Sequence, residues 1–263
     1  MTRIVVSGAA GRMGRTLIRL LDESHELELV GGVEAPDHPV LGTDCGLLAG
    51  IGTTGISAAD SLPKEFDVLI DFSQPEGSVE HVEASAAIGA RCVIGTTGFS
   101  AEQHQRIAAA GGKTAIVISP NMSVGVNVLF REAVAIARML GSDYDIEIVE
   151  AHHRFKKDAP SGTALRVAEE IAIATGRRLD QIAVYGRRPG EPARQLGEIG
   201  VHAVRGGDIV GEHTVYYVGL GERLELKHVA HSRETFARGA LRAAQWVVGR
   251  GPGLYSMAQV LGG

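Results

Sequence analysis

Residues 3–14, Arg-Ile-Val-Val-Ser-Gly-Ala-Ala-Gly-Arg-Met-Gly, decide the fold of this chain. The short apolar run 3–7 predicts a strand, and the spacing of apolar side chains over 12–21 predicts a helix. The turn between them holds three glycines, Gly8, Gly11 and Gly14. Glycines in such a turn allow tight backbone bends and a close approach of the backbone to a ligand at the start of the helix.

This turn indicates a dinucleotide site. Glu34 follows Gly14 by about 20 residues, at the end of a second predicted strand, 27–33. In this arrangement the helix N-terminus binds a pyrophosphate and the carboxylate binds ribose hydroxyls. Glu34 would also repel a 2′-phosphate, and Ala35 supplies no cation. NADH and NADPH are both candidates, and we expect NADH to be well accepted. The alternative is a structural glycine turn with Glu34 on the surface.

Strands and helices alternate up to about residue 122. Further strands are predicted at 66–72, 92–94 and 115–118. The alternation predicts a Rossmann-type doubly wound parallel sheet. Ligands of such sheets bind beyond the carboxyl ends of the strands. The residues predicted there are Phe72, Ser73, Gly95, Thr96, Thr97, Ser119, Pro120 and Asn121.

The pattern changes after residue 122 and predicts a second α+β domain with a mixed open sheet. Helices are expected at 126–140, 162–175 and 234–248, and strands at 145–150, 199–204, 209–218 and 223–230. We expect the last helix to return to the first domain. The predicted boundaries are 1–122, completed by 233–263, for the dinucleotide-binding domain and 123–232 for the substrate-binding and oligomerisation domain.

Composition restricts the classes of partner. The net charge of −5 disfavours a nucleic-acid or membrane-surface binder. The N-terminus lacks a signal-peptide pattern, and no apolar run is long enough to span a membrane, so we expect a cytoplasmic protein. The two cysteines, Cys45 and Cys92, form no CxxC pair, and no HExxH motif occurs. We therefore expect no metal site.

The segment 150–164, EAHHRFKKDAPSGTA, indicates the chemistry. It places two imidazoles, an arginine and two lysines within 152–157, just before a Ser-Gly-Thr turn that opens a helix. A histidine is suited to general acid catalysis near neutral pH, and a helix N-terminus with nearby cations binds carboxylates. The pattern predicts a small acidic substrate. The alternative is a solvated charged loop.

Several motifs together resemble one family of enzymes. They are GAAGRMGR at 8–15, DFSQPEG at 71–77, VIGTTGF at 93–99, EAHHRFKKDAPSGTA at 150–164 and RGGDIVGEHT at 205–214. The chain thus resembles the bacterial 4-hydroxy-tetrahydrodipicolinate reductase (dihydrodipicolinate reductase) family of the lysine and diaminopimelate pathway. The resemblance implies NAD(P)H-dependent reduction of 4-hydroxy-tetrahydrodipicolinate to tetrahydrodipicolinate with loss of water. It implies hydride transfer to ring carbon C4 of a cyclic dicarboxylate, and a homotetramer.

The resemblance also implies roles for single residues. His152 and Lys156 match the family's proton-transfer residues, and the substrate-binding positions are His153, Ser161, Gly162 and Thr163. The cofactor-binding positions are Gly8, Ala9, Ala10, Gly11, Arg12, Met13, Glu34, Gly95, Thr96, Thr97, Ser119, Pro120, Asn121 and Met122. Ala35 and Gln74 stand where members that use NADPH often carry arginine.

Two alternatives stay open on the residues alone. The first is another two-domain NAD(P)-dependent dehydrogenase of a small acidic substrate. A semialdehyde dehydrogenase is disfavoured, because it needs a nucleophilic cysteine in the second domain and both cysteines precede residue 122. The second is a non-catalytic sensor of a nucleotide and a small acid.

Overall fold

The computed structural model describes residues 1–262. Its strands are β1 (Thr2–Ser7), β2 (Leu27–Val33), β3 (Ala58–Ala59), β4 (Val68–Asp71), β5 (Arg91–Ile94), β6 (Ala115–Ile118), β7 (Asp145–His152), β8 (Ala183–Tyr185), β9 (Ile199–Arg205), β10 (Gly211–Val218), β11 (Arg223–Ala230) and β12 (Gly253–Tyr255). Its helices are α1 (Arg12–Asp22), α2 (Cys45–Ala49), α3 (Pro75–Ala87), α4 (Ala101–Gly111), α5 (Val124–Leu140), α6 (Gly162–Ala174), α7 (Leu179–Ile182), α8 (Glu234–Val247) and α9 (Met257–Val260).

The chain forms two compact units. Unit 1 comprises Met1–Val124 together with the C-terminal segment that begins at Glu234, and unit 2 comprises Gly125–Arg233. None of the helices within residues 1–262 is long and apolar enough to cross a membrane.

Unit 1 is a doubly wound parallel sheet. Its seven strands lie in the order β12-β6-β5-β4-β1-β2-β3, and every pairing is parallel. Helices α1 and α8 pack on one face through residues such as Leu17 and Ala240, and α3 and α4 pack on the other through Val82 and Ile107. The Rossmann-type sheet predicted from the alternating pattern is confirmed.

Unit 2 is a mixed sheet whose order is β11-β10-β7-β9-β8. Strand β7 pairs antiparallel with β10 and parallel with β9, and β10 and β11 form a hairpin. Helices α5 and α6 cover one face through apolar residues such as Leu129 and Val167. The predicted mixed sheet is therefore also confirmed.

The bounds of some elements differ from the prediction. The strand expected over 66–72 is limited to β4, because the Asp67 carboxylate accepts from the backbone N–H of Arg3 at 2.8 Å just before the ladder begins. Strand β7 extends two residues further, to His152, and β10 starts only at Gly211. The elements α2, β3, α7, β8, α9 and β12 were not predicted, because segments this short carry no measurable periodicity.

Candidate functional site

The glycine turn of unit 1 is built for close backbone approach. Gly8 has a φ of 76°, and a Cβ there would lie 2.5 Å from the carbonyl oxygen of Phe72. A Cβ at Gly14 would overlap the carbonyl oxygen of Gly8, so only glycine lets α1 pack this close to β1. No side chain of the described residues caps α1 at Gly11. Its first-turn N–H groups therefore point outward with the partial positive charge that binds anions.

A cavity of about 630 Å³ lies beside this turn. Glu34 lines it, and one of its carboxylate oxygens accepts from the backbone N–H of Ala10 at 2.6 Å. The carboxylate thereby ties the end of β2 to the turn. The cavity is strongly acidic, since further carboxylates line it, at Asp60, Glu76 and Glu80. The glycine turn, the uncapped N-terminus of α1 and the Glu34 carboxylate together fit a dinucleotide.

A buried carboxylate holds the neighbouring strand ends. Asp71, fully buried at the end of β4, accepts from the Thr96 hydroxyl at 2.6 Å and from the Ser73 hydroxyl at 3.0 Å. Burial alone would raise the Asp71 pKa, but hydrogen bonds from His81, Thr96, Ser7 and Ser73 outweigh it and hold the pKa below its ordinary value. The Thr96 side chain thus fixes the loops after β4 and β5.

The other predicted cofactor residues differ in how far they are buried. The side chains of Ala9 and Met122 are buried in apolar clusters of unit 1, so only their backbone is left for a ligand. The Ser119 hydroxyl donates to the carbonyl oxygen of Asn121 at 2.8 Å. The exposed members of the set are Gly11, Arg12, Thr97 and Pro120, and the partly exposed ones are Ala10, Met13, Glu34, Gly95 and Asn121.

In unit 2 the second candidate site lies at the C-terminal end of β7, on the face that packs against the core. Alternate residues of a strand point to the same face. Ile146 and Ile148 are buried in the apolar core, and Glu150 and His152 continue the same row. The polar site therefore begins where the apolar core ends.

Glu150 is the centre of this site and is fully buried. One carboxylate oxygen lies 2.6 Å from Nδ1 of His152. The Arg205 guanidinium, on β9, donates to both carboxylate oxygens at 2.7 and 2.8 Å, and the backbone N–H of Ser161 donates at 3.0 Å. Burial would raise the Glu150 pKa, but these donors outweigh it and keep the pKa below its ordinary value. The carboxylate is ionised at neutral pH.

His152 is held at the open end of this cluster, and 12% of its side chain is exposed. Burial lowers its pKa below the ordinary value, Glu150 opposes that shift, and Lys156 and Arg205 add to it. The ring of His213, on β10, meets the His152 ring edge to face at 5.2 Å. Burial lowers the pKa of His213 to about 3, so this second ring is neutral.

The loop after β7 brings the remaining predicted residues together. Ser161 caps α6: its hydroxyl accepts from the N–H of Ala164 at 3.2 Å and lies 3.0 Å from Nε2 of His213. Gly162 is exposed, and apart from its chain neighbours and the backbone of its own helix, a Cβ there would meet no heavy atom of residues 1–262 within 4 Å. Thr163 follows in the first turn of α6, which contains no acidic residue. This helix start therefore carries positive partial charge with no acidic side chain in its first turn.

The loop between β7 and α6 carries three cationic side chains, Arg154, Lys156 and Lys157, and the imidazole of His153. The Lys156 ammonium pairs with Asp158 at 2.9 Å and keeps 22% of its side chain exposed. Nδ1 of His153 is buried and has no hydrogen-bond partner among the described residues. Arg154 and Lys157 are exposed. The site can thus hold an anionic group between cations and amides while a histidine with its own carboxylate transfers a proton.

Sequence reasoning missed three members of this site: Glu150, Arg205 and His213. A period-2 reading of the strand places Glu150 on the face of His152, so this residue could have been found. Arg205 and His213 reach the site through the pairing of β9 and β10 with β7, which no local pattern reveals.

The cysteines and possible metal sites add no further chemistry. Burial raises the pKa of Cys45 to about 11 and that of Cys92 to about 12, so neither thiol is an activated nucleophile. In residues 1–262 no three or more His, Cys, Asp or Glu side chains are grouped to hold a metal ion.

The parallel sheet, its glycine turn and the carboxylate after β2 define the class of protein, an NAD(P)H-dependent oxidoreductase. Two family models narrow this class. Residues 2–122 match dihydrodipicolinate reductase, N-terminus, and residues 125–261 match dihydrodipicolinate reductase, C-terminus. The chain belongs to the dihydrodipicolinate reductase family.

Similar proteins agree with this assignment. A 4-hydroxy-tetrahydrodipicolinate reductase from Citrifermentans bemidjiense is 48% identical, covering 100% of this chain and 99% of the relative. One from Rubrobacter xylanophilus is 51% identical, covering 99% and 98%. A dipicolinate-bound dihydrodipicolinate reductase from Paenisporosarcina sp. TG-14 superposes with a TM-score of 0.77 at 25% identity, covering 97% of both chains. An amine dehydrogenase from Mycobacterium smegmatis, 14% identical with a TM-score of 0.59, shares the fold alone.

Proposed function

We propose that this chain reduces 4-hydroxy-tetrahydrodipicolinate to tetrahydrodipicolinate, with loss of water, in lysine and diaminopimelate biosynthesis. The observation that carries the proposal is the arrangement at the end of β7, in a chain of this family. A histidine with its own buried carboxylate lies beside a cationic loop and an open helix start. That combination suits a small dicarboxylate that must receive a proton.

We assign proton transfer to His152 and Lys156. Lys156 is close enough to His152 to lower its pKa, and Glu150 connects His152 to the Ser161 N–H at the start of α6, so a dicarboxylate bound at that helix start would lie near both. His153, Gly162 and Thr163 would bind the carboxylates through an imidazole and helix amides. Ser161 would support the substrate site indirectly, because its hydroxyl already contacts the Ala164 N–H and His213, and its own N–H donates to Glu150.

A bound reduced nicotinamide would supply the hydride that reaches ring carbon C4. The turn from Gly8 to Met13 and the strand-end residues Gly95–Thr97 and Ser119–Met122 would hold the cofactor. Glu34 and the other carboxylates of the cavity disfavour an additional 2′-phosphate, and Ala35 offers it no cation. We propose that NADH is well accepted, with NADPH as a second cofactor. Replacing Glu34 by Arg should raise the NADPH-to-NADH ratio of kcat/KM by about tenfold or more.

The domain roles are proposals as well. Residues 1–122 with 233–263 would bind the dinucleotide, and residues 123–232 would bind the substrate and assemble a homotetramer. We also propose that the protein works in the cytoplasm and that its partner is a small cyclic dicarboxylate rather than a nucleic acid or a membrane. Sedimentation equilibrium tests the proposed homotetramer. A monomeric mass at micromolar concentration would contradict it.

The activity is tested by oxidation of NADH and NADPH with the substrate made in situ. A condensing enzyme supplies the substrate from pyruvate and aspartate semialdehyde. We expect oxidation of the reduced nicotinamide only when every component is present. Absence of oxidation with either cofactor, in folded protein that binds NADH, would overturn the proposed reduction and leave another two-domain dehydrogenase of a small acidic substrate or a non-catalytic sensor.

A further inference from the structure

We propose that Glu150 is a positioning residue: it fixes the proton of neutral His152 on Nδ1, so that Nε2 is the nitrogen that gives and takes the catalytic proton. This inference rests on the proposed role of His152 in proton transfer. It adds a residue that is fully buried and contacts the ring of His152 directly.

The assignment of the proton follows from the chemistry of the pair. The Glu150 carboxylate is ionised, because its pKa is held low by Arg205, His152 and the Ser161 N–H against the effect of burial. An ionised carboxylate only accepts hydrogen bonds. Nδ1 of His152, 2.6 Å from a carboxylate oxygen, must therefore carry a hydrogen. In the neutral ring that leaves Nε2 as the basic nitrogen.

The carboxylate is itself held in place. The bidentate Arg205 contact and the Ser161 N–H occupy three of its acceptor positions, so it cannot rotate away from the ring. The Ser161 contact also couples the position of the histidine to the start of α6, where the substrate carboxylate is proposed to bind. One buried carboxylate thus orients both the proton donor and the anion site.

A glycine lies beside the Nε2 atom of His152. Gly211, on β10, lies beside His152, and a Cβ at that position would lie 3.1 Å from Nε2. The charged and titratable groups that face the ring are Glu150 on β7, Lys156 in the loop, Arg205 on β9 and the neutral His213 on β10. Among these groups only the Glu150 carboxylate favours the imidazolium form.

The first test uses the unmodified protein. Nitrogen NMR of histidine-labelled protein reports the tautomer of His152, with the signal assigned through the His152→Gln variant. We expect the neutral ring to carry its proton on Nδ1. A proton on Nε2 would overturn the inference, and this measurement needs no variant of Glu150 to fold.

The second test compares two carboxylates of the same strand. Glu150→Gln should lower the His152 pKa by about one unit or more, since the carboxylate that favours imidazolium is gone. The kcat should fall by about 10²-fold, and the high-pH limb of kcat should move to lower pH, with KM changed far less. Glu147→Gln, three residues earlier, should leave the His152 pKa and the limb unchanged. If Glu150→Gln does not fold, Glu150→Asp is the substitute variant, and it should give an intermediate shift of the His152 pKa.

The outcomes separate this inference from the proposed function. An unchanged His152 pKa in folded Glu150→Gln would overturn the positioning role. If the unmodified protein shows the Nδ1 tautomer and Glu150→Gln shows the expected His152 pKa shift, but the unmodified protein does not oxidise NADH or NADPH, the proposed function fails while the positioning role stands.

Discussion

Strand β7 carries two clusters of the same composition on its two faces, and only one of them is placed for chemistry. The inner cluster joins Glu150 to His152 and Arg205; the outer one joins Glu147 to His202, Arg187 and Arg194. In both, a carboxylate lies 2.6 Å from a ring nitrogen and its pKa is held below the ordinary value. A histidine beside a carboxylate and an arginine is therefore not enough to mark a site.

Burial and surroundings distinguish the two clusters. The Glu150 side chain is fully buried, whereas 20% of the Glu147 side chain is exposed. His152 lies next to a cationic loop and the start of α6, and His202 lies on the opposite face among arginines that join Glu147 to Asp145 and Glu198. The outer cluster ties the 187–198 segment to the sheet, so its contribution is structural.

The largest difference between the two clusters should appear in kcat when His152 of the inner cluster and His202 of the outer cluster are each replaced. His152→Gln should lower kcat by at least ~10²-fold, because a positioned acid is lost. The affinity for NADH should be nearly unchanged. His202→Gln, the matched variant of the outer cluster, should keep kcat within about twofold. Steady-state kinetics and NADH titration check both, and equal losses in the two variants would erase the distinction between the faces.

A second difference should appear in stability. Arg205→Met leaves the buried Glu150 carboxylate with two fewer donors, and we expect the free energy of unfolding to fall by about 2 kcal/mol. Arg187→Met acts on a partly exposed pair and should cost less than about 1 kcal/mol. Urea unfolding measures both. A larger fall in the free energy of unfolding for Arg187→Met than for Arg205→Met would mean that the outer cluster contributes more to stability than the inner one.

The smallest effect concerns the helix start beside the inner cluster. Gly162→Ala adds a methyl group that touches no described atom, so the fold should be retained. The methyl would crowd a carboxylate on the α6 amides, and KM for the substrate should rise about threefold. Gly249→Ala, at another glycine where a Cβ would meet nothing within 4 Å, is the control and should leave KM unchanged. An unchanged KM in Gly162→Ala would place the carboxylate elsewhere.

Much of the fold was predictable from local patterns. The glycine turn followed from residues 8–14, and the helix predicted over 12–21 is present as α1. The strands predicted at 209–218 and 223–230 are present as β10 and β11. Such features depend on neighbours in the chain, which is why a single sequence reveals them.

The site was predictable only in part. The residues of the 150–164 segment are contiguous, and a family resemblance marked several of them, but Arg205 and His213 reach the site through strand pairing. The period-2 pattern of β7 places Glu150 on the face of His152 and Glu147 on the opposite face, but no local pattern shows which face borders a site. Their difference arises from which face α5 and α6 cover.

The most direct test of the central claim, that this chain joins hydride transfer to proton delivery on a cyclic dicarboxylate, is to follow deuterium from the cofactor. Reduced cofactor labelled at the transferable position would be supplied with substrate made in situ, and the product examined by NMR. We expect deuterium at ring carbon C4 of the product, with product formation slowed but the label unmoved in His152→Gln. Product without deuterium, or label that stays in the cofactor, would contradict hydride transfer by this chain.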